Sequence, residues 1–356
     1  MRTIHHGVRR SVLSALAATL VLLAGLLAAC SGTPEGSARQ ASTEEVVVPA
    51  DGLDLVGTLR LPAGDGPAPL VVIVHGSGPL DRDGTLPGQL GLTLPTPVPA
   101  YREIAEALQA RGYAVFTWDK RTCGPFNGCA ENDYPPPTDD LTLDTLRGDV
   151  GAVIDTLIAR EDIGEVVLIG HSKGGTIAAG VASARDDLAA LVLLATPEGP
   201  LPELLQAQAE KFEEIVAASG QSADEAVAGL HQMADDVRAV AEGDLEGTPI
   251  SGASRRFWAS WIAAALAAPD QLEQVDVPVL ALGGGHDWNV PPAQVRAWGQ
   301  HLGGDDEVII VDQITHALTR LGTEDVDEIT ADDVGEHVDP TVIDALVTWL
   351  DAALVS

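Results

Sequence analysis

The chain has 356 residues, with 20 lysines and arginines against 53 aspartates and glutamates, and its formal net charge is −33. Such an acidic surface argues against nucleic acid and anionic lipid headgroups as partners, because both repel it. The length exceeds that of a typical single domain, but an α/β core carrying one insertion accounts for it.

The N-terminus has the pattern of an export signal. Three arginines precede an apolar run over residues 12–29, which ends directly before Cys30. The ending Leu-Ala-Ala-Cys resembles the bacterial lipobox, whose cysteine is diacylated and becomes the mature N-terminus; an ordinary signal with a chance cysteine is the alternative. We predict a lipoprotein signal over residues 1–30, a Ser/Gly/Pro-rich flexible tether over 31–43 and one domain over 44–356. Acyl chains on Cys30 would then hold an exported protein on the outer face of the bacterial cell membrane.

Short apolar runs alternate with longer helical patterns along the predicted domain. Two runs separated by the turn-like Ala-Asp-Gly predict an antiparallel opening pair. Six continuous, β-branched runs follow, as expected of strands buried on both faces: PLVVIVHG, YAVFTWD, EVVLIG, LVLLA, VPVLALGG and EVIIVD. The pattern predicts an α/β fold with an eight-stranded, mostly parallel sheet and helices on both faces.

One stretch interrupts this alternation. Residues from about 198 to 276 contain three helical patterns and no strand pattern. We interpret them as a helical cap inserted above the carboxyl ends of the strands, where open α/β sheets bind ligands.

Two cysteines lie in the loop that follows YAVFTWDKR. Cys123 and Cys129 are six positions apart among glycine, proline and asparagine. Because an exported chain meets an oxidising environment, we predict a disulfide between them. The loop has no histidine to complete a metal site, and we expect neither a metal nor an organic cofactor.

The motif Gly-His-Ser-Lys-Gly-Gly over residues 170–175 stands between an apolar strand and an Ala/Gly-rich helix. This context predicts a nucleophile elbow that exposes Ser172 above the sheet. A serine needs a positioned base, and in such folds the acid and the histidine follow on loops after later strands. Asp287 follows VPVLALGG and His316 follows EVIIVD. We therefore predict a triad of Ser172, Asp287 and His316.

Three further residues are considered beside this triad. Glu198 follows an earlier strand and is the alternative acid, whereas His286 adjoins Asp287 and is the alternative base. His171 precedes the nucleophile, and we expect it to point away from the reaction and to have a structural role.

An oxyanion hole is predicted from the sequence His-Gly-Ser-Gly-Pro over residues 75–79, which follows the strand PLVVIV. Two backbone N–H groups aimed at the developing oxyanion stabilise the transition state of acyl transfer. We assign them to Ser77 and Lys173, with Gly76 as the second choice for the first donor.

Together the segments HGSGPLDRDG, YAVFTWDKR, GHSKGG, GGGHDWNVP and ITHALTR resemble the α/β-hydrolase superfamily. The likeness is strongest to bacterial esterases and serine aminopeptidase-like hydrolases whose first loop reads HGSGP-x-D-R-D. It implies an α/β-hydrolase fold and the same triad. Two positions depart from that pattern: the cysteine pair replaces a glycine-rich turn after Arg121, and Thr315 stands where an asparagine usually precedes the histidine.

The sequence predicts a serine hydrolase, and we expect a carboxylesterase that acts on small to medium acyl esters. Its partners would be a small-molecule acyl substrate and the membrane, with no nucleic acid, and nothing in the sequence indicates an oligomeric state. The cleft walls are expected to include Phe257, Trp258, Trp261 and the Pro-rich loop 86–99.

Two other functions remain open at this level. An exported aminopeptidase-like peptidase would bind the substrate amine with a cap carboxylate, for which the candidates are Glu213, Glu214, Asp235 and Asp236. A non-catalytic lipoprotein that binds a ligand in a hydrolase-like cleft is the other alternative.

Overall fold

The computed structural model describes residues 39–89, 92–124, 129, 134, 138–219, 223–304, 306–322 and 334–354. The predicted signal, Cys30 and most of the predicted tether lie outside these residues. Within the described part of the chain, no helix is long and apolar enough to cross a membrane.

One sheet of eight strands organises the fold. Its members are β1 (Ser42–Ala50), β2 (Leu53–Leu61), β3 (Ala68–Val74), β6 (Ala114–Trp118), β7 (Ile163–His171), β8 (Leu188–Leu194), β9 (Val279–Gly284) and β10 (Glu307–Val311). The spatial order is β1-β2-β6-β3-β7-β8-β9-β10. β1 and β6 pair with β2 in antiparallel fashion, and every pair from β6 to β10 is parallel. The predicted eight-stranded, mostly parallel sheet is confirmed.

The central strands are buried on both faces, which explains their continuous apolar sequences. In β3, Val72 enters one hydrophobic core and its neighbour Ile73 enters the other, and both are fully buried. Alternate side chains of a strand point to opposite faces, so a sheet with a core on each side needs apolar residues at every position.

Eight helices are seen in the described residues. They are α1 (Ala100–Ala110), α2 (Leu143–Ile158), α3 (Lys173–Ala182), α4 (Leu201–Ser219), α5 (Asp224–Ala241), α6 (Arg255–Leu272), α7 (Pro292–Ala297) and α8 (Pro340–Ala353). Ile104 of α1 and Leu346 of α8 enter the core on one face, whereas Ile154 of α2 and Ile177 of α3 enter the core on the other. The sheet is therefore covered by helices on both sides, as predicted.

Helices α4, α5 and α6 fill the stretch predicted as a cap. α4 contacts α5, α5 contacts α6, and α6 contacts α3, the helix that follows the nucleophile motif. The Ser254 hydroxyl caps α6 by accepting a hydrogen bond from Phe257 N–H. This N-terminal hydrogen bond fixes the start of α6, the helix that brings Phe257, Trp258 and Trp261 over the carboxyl ends of the strands.

The sequence-based boundaries need three corrections. The Pro-rich stretch expected to be a loop is a hairpin of β4 (Thr85–Gln89) and β5 (Leu92–Pro99), and a second small sheet joins β11 (Thr319–Leu321) to β12 (Val334–Val338). Proline is unfavourable in a central strand because it cannot donate a backbone hydrogen bond. A two-stranded sheet has free edges, and these tolerate proline. Side chains 86–96 lie outside the described part, so their role as a cleft wall stays a prediction.

The other two corrections concern ends of elements. β1 already starts at Ser42, inside the predicted tether, because the strand pairs along the full length of β2. The sequence PPAQVRAWGQHLG over residues 291–303 predicts one helix, but α7 ends at Ala297 and the chain continues as a short 3-10 turn, Trp298–Gln300.

Candidate active site

Ser172 occupies a sharp turn between β7 and α3. Its φ of 55° and ψ of −125° are rare for a residue with a side chain, and such strain is typical of a nucleophile elbow. A Cβ atom at Gly174 would overlap the carbonyl oxygen of Val74, and one at Gly170 would overlap the backbone of Gly174. The strand and the helix thus pass too close for side chains at these positions, which accounts for the Gly-x-Ser-x-Gly spacing.

Asp287 and His316 meet on the loops that follow β9 and β10. The His316 Nδ1 atom lies 2.7 Å from Asp287 Oδ2, and the other carboxylate oxygen accepts a 2.8 Å hydrogen bond from Val290 N–H. Both residues are buried, with 2% of Asp287 and 8% of His316 exposed. His316 and Ser172 line the same cavity of about 290 Å³. The structure therefore brings the three predicted triad residues to one site.

The alternative acid and base lie elsewhere. Glu198 Oε1 is 3.6 Å from His301 Nε2, on the side of the cap helices, and is not paired with His316. His286 donates its backbone N–H to Ile314 O, and its ring Nδ1 is buried without a hydrogen-bond partner among the described residues. Asp287 is hydrogen-bonded to His316 instead.

The predicted oxyanion donors face the same cavity. Ser77 and Lys173 both line it beside Ser172. Lys173 is the first residue of α3, so its N–H is one of the helical donors that have no acceptor within the helix. Gly76 N–H donates to the Tyr101 hydroxyl at 2.9 Å, whereas Ser77 N–H has no acceptor in the described part of the chain. This arrangement favours Ser77 over Gly76 as the first donor.

A buried polar network, which the sequence did not reveal, connects the oxyanion loop with the base. The Tyr101 hydroxyl, which accepts from Gly76 N–H, lies 3.1 Å from His171 Nδ1. The opposite ring nitrogen of His171 lies 3.1 Å from the carbonyl oxygen of His316. His171 lines the cavity beside Ser172 and does not point away from it as expected, but its contact with the backbone of His316 gives it a supporting role.

Two histidines under the site are held neutral by their surroundings. Burial, together with the charge of the neighbouring His316, lowers the pKa of His171 to about 3. Burial and the neighbouring Lys120 lower the pKa of His75 to about 3 as well. His75 Nε2 lies 2.5 Å from the carbonyl oxygen of Trp118. Both rings therefore serve as neutral hydrogen-bonding groups at ordinary pH.

Two lysines lie beside the oxyanion loop, and only the backbone of one of them was predicted to act here. Lys120 Nζ donates to the carbonyl oxygens of Gly76 at 2.6 Å and Gly78 at 2.9 Å. Lys173 Nζ lies 4.9 Å and 4.8 Å above the rings of Phe257 and Trp261. Burial lowers the pKa of Lys173 to about 8 and lowers that of Lys120 well below its ordinary value.

The remaining candidates have clear positions. Cys123 and Cys129 form a disulfide with a Cα–Cα distance of 5.8 Å. Trp258 and Trp261 line the catalytic cavity, and Phe257 lines its neighbour, so all three predicted aromatic residues face a cavity. No group of three or more potential metal ligands is found among the described residues.

Comparison with known proteins gives a consistent result. Residues 98–320, well over half of the chain, match the family model described as serine aminopeptidase, S33. The esterase EstD of Thermotoga maritima is 26% identical over 323 residues, which are 87% of this chain and 68% of that protein.

Solved structures agree in fold. Est1E of Butyrivibrio proteoclasticus superposes with a TM-score of 0.54 at 16% identity, over 88% of this chain and 99% of that one. A second structure of Est1E, with ferulic acid bound, has the same TM-score and identity over 87% and 100% of the two chains. DcsB, in complex with its substrate analogue, has a TM-score of 0.52 at 16% identity over 88% and 100%. At these identities the likeness shows a shared fold.

Proposed function

Because the chain belongs to the serine aminopeptidase S33 family of α/β-hydrolases, we propose that it is a carboxylesterase with Ser172 as its nucleophile. The observation that carries this proposal is the 2.7 Å contact between His316 Nδ1 and Asp287 Oδ2, on the cavity that Ser172 also lines. The name of the relative EstD as an esterase supports the choice of ester over amide.

The reaction follows from these positions. His316 Nε2 removes the proton from Ser172 Oγ as the oxygen attacks the ester carbonyl, and Asp287 holds the imidazole tautomer and stabilises the imidazolium. The N–H groups of Ser77 and Lys173 donate to the oxyanion of the tetrahedral intermediate. The imidazolium then gives its proton to the departing alcohol, leaving an acyl-enzyme. Water activated by His316 releases the acid and regenerates the serine.

The catalytic cavity suits a small or medium acyl group. It holds about 290 Å³, and leucines of α4 form much of its wall: Leu201, Leu204 and Leu205. A small, largely apolar pocket with few polar groups recognises its ligand by shape and by burial of apolar surface. We expect short-chain esters to be hydrolysed faster than long-chain esters.

The four cap carboxylates proposed for the peptidase alternative do not suit that role. Binding a substrate amine requires an acid that faces the catalytic cavity, and none of the four cap candidates is among the residues that line it. Each is instead paired with a basic group, at N···O distances of 3.0 to 3.5 Å: Glu213 with His231, Glu214 with Lys211, Asp235 with Arg238 and Asp236 with Arg255. These pairs favour the esterase over the aminopeptidase.

A fluorophosphonate probe tests the nucleophile. We expect the native wild type to be labelled, and the heat-denatured protein and Ser172→Ala to be unlabelled. Ser183→Ala, at the far end of α3, is the matched serine control and should be labelled like the wild type. Wild-type protein that has not been exposed to the probe should also cleave short acyl esters faster than amino-acid amides. A folded wild type that resists the probe would favour the non-catalytic ligand-binding lipoprotein.

We propose further that the enzyme is exported and held at the outer face of the cell membrane by acyl chains on Cys30. The apolar run before Cys30 supports this proposal, as does the Cys123–Cys129 disulfide, since such bonds persist in oxidising compartments. Cys30→Ala should release the protein from the membrane fraction, and unchanged membrane attachment of that variant would contradict the lipid anchor.

A further inference from the structure

A second cavity adjoins the catalytic one and has no part in the mechanism described above. It holds about 440 Å³, and it shares part of its wall with the catalytic cavity: Ser77, Lys173, Met233, Trp258 and Trp261. A molecule with its ester carbonyl at Ser172 can therefore extend past these residues into the second cavity. What lines that cavity decides which substituent it accepts.

Lysine is rare in this protein, and its placement is uneven. The sequence contains three lysines and 17 arginines. Lys120 and Lys173 both line the second cavity, each is 4% exposed, and burial and the positive charge of Lys173 lower the pKa of Lys120. The third, Lys211, lies on α4 with Glu214 at 3.0 Å. Because lysine is almost never fully buried without a partner, two at one cavity call for a functional explanation.

The contacts of the two amines provide no negative charge. Lys120 Nζ donates to two backbone carbonyl oxygens of the oxyanion loop, and Lys173 Nζ lies over two aromatic rings. Among the described residues, neither amine forms an ion pair with a carboxylate. Asp149, a carboxylate whose charge raises the pKa of Lys120, is itself paired with Arg121. An anion in the cavity would supply the missing partner and favour the charged form of the amines.

The other walls suit an organic anion better than a bare inorganic one. Phe257, Trp258 and Trp261 form an aromatic side of the cavity, against which an apolar linker can pack. Five residues with hydroxyl groups also line it: Ser77, Thr122, Thr138, Ser251 and Ser254. The carboxylate residue that lines it, Asp139, is exposed. An apolar body that ends in a carboxylate satisfies both the rings and the amines.

We propose that the second cavity binds a carboxylate of the substrate, so that the enzyme acts on half-esters of dicarboxylic acids. This inference rests on the proposed function, because the ester must be cleaved at Ser172. Lys173 connects the two sites, since it lines both cavities and its amine lies over Phe257 and Trp261, which line the second. We therefore expect the linker between the ester and the carboxylate to be similar in length to the lysine side chain, which has about four methylene groups.

Two esters of equal chain length test this subsite. Monoethyl adipate and ethyl hexanoate differ in a terminal carboxylate against a methyl group, and ethanol release reports the hydrolysis of both. We expect the wild type to have a kcat/KM at least about tenfold higher for monoethyl adipate, as charge-assisted hydrogen bonds are strong. Lys173→Met should reduce that ratio by about tenfold, whatever its effect on the absolute rates. Lys211→Met removes a lysine outside the cavity and should leave the ratio unchanged.

A binding measurement separates this proposal from the proposed esterase activity. Calorimetric titration of Ser172→Ala should detect binding of monoethyl adipate, and binding should be lost in Ser172→Ala combined with Lys173→Met. Binding without hydrolysis in the wild type would overturn the esterase and support the subsite. Hydrolysis of both esters without preference, or a preference that survives Lys173→Met, would overturn the subsite and leave the esterase standing.

Discussion

The His171 ring nitrogen Nε2 lies 3.1 Å from the carbonyl oxygen of His316. Burial lowers the pKa of His171 to about 3, so the ring is neutral and has a single N–H. That N–H must be on Nε2, where it donates to the carbonyl, while Nδ1 accepts from the Tyr101 hydroxyl. The residue before the nucleophile thus fixes the backbone of the base, and Tyr101 connects both to the oxyanion loop through Gly76.

Removing the Tyr101 hydroxyl should weaken this network, while the aromatic ring still fills its place in the core. Tyr101→Phe leaves Gly76 N–H buried without an acceptor, a loss that costs about 1 to 3 kcal/mol of unfolding free energy. We expect kcat for a short ester to fall about tenfold with little change in KM, because the network positions catalytic groups. Steady-state kinetics and urea unfolding measure the two effects.

Tyr113→Phe is the matched control for that variant. The Tyr113 hydroxyl donates to Asp351 at 2.6 Å, remote from the site, so its loss should change stability but not kcat. Equal kcat values for Tyr101→Phe and the wild type would show that the network is not needed for catalysis.

The choice between the two candidate acids is testable by a pair of amide substitutions. Asp287→Asn keeps the shape of the side chain but favours the wrong tautomer of His316, so kcat should fall by about 10⁴. Glu198→Gln alters a residue that contacts His301 instead and should leave kcat within about twofold. Hydrolysis of a short chromogenic ester gives both rates. A large loss in Glu198→Gln with a small loss in Asp287→Asn would reverse the assignment.

The main sheet and the placement of Ser172, Asp287 and His316 at one site were predictable because their signals are local. A strand buried on both faces needs an unbroken apolar run, and residues such as Val72 and Ile73 follow that rule. Asp287 and His316 stand directly after such runs, so the parallel sheet brings them to one edge. The hairpin of β4 and β5 was missed because its prolines are normally a signal against strands.

The support beneath the site was not predictable, because it joins residues that are distant in the sequence. Tyr101 and His171 are 70 positions apart, and no spacing rule relates them. The sequence has three lysines and 17 arginines, but nothing in their spacing indicates that Lys120 and Lys173 line the same cavity. Their shared cavity followed only from the fold.

Acid should destabilise the protein through its two neutral buried histidines. The pKa values of His75 and His171 are about 3 in the folded state, against an ordinary value of about 6.5 in the unfolded chain. Between these values the unfolded state binds protons that the folded state does not, so the unfolding free energy falls as pH decreases from 6.5 towards 3. Each histidine contributes a slope of up to about 1.4 kcal/mol per pH unit.

Urea unfolding at several pH values measures that slope. For His171→Asn, the slope of unfolding free energy against pH should be smaller than for the wild type by the contribution of one histidine, whatever the stability of the variant at pH 7. Equal slopes of unfolding free energy against pH for the two proteins would mean that His171 is protonated in the folded state or has no altered pKa there.

The disulfide should stabilise the segment that leads from β6 to the second cavity. Cys123 and Cys129 are buried, and Cys123 N–H donates to the carbonyl oxygen of Lys120. Closing a loop of this length lowers the entropy of the unfolded chain and stabilises the fold by about 2 kcal/mol. The double variant Cys123→Ser/Cys129→Ser should lose that amount in urea unfolding, and dithiothreitol should lower the stability of the wild type but not of the variant.

Because Thr122 lines the second cavity beside Lys120, the same variant should also lose part of the preference for monoethyl adipate over ethyl hexanoate. Unchanged stability and unchanged preference would mean that the surrounding packing fixes this loop without the bond.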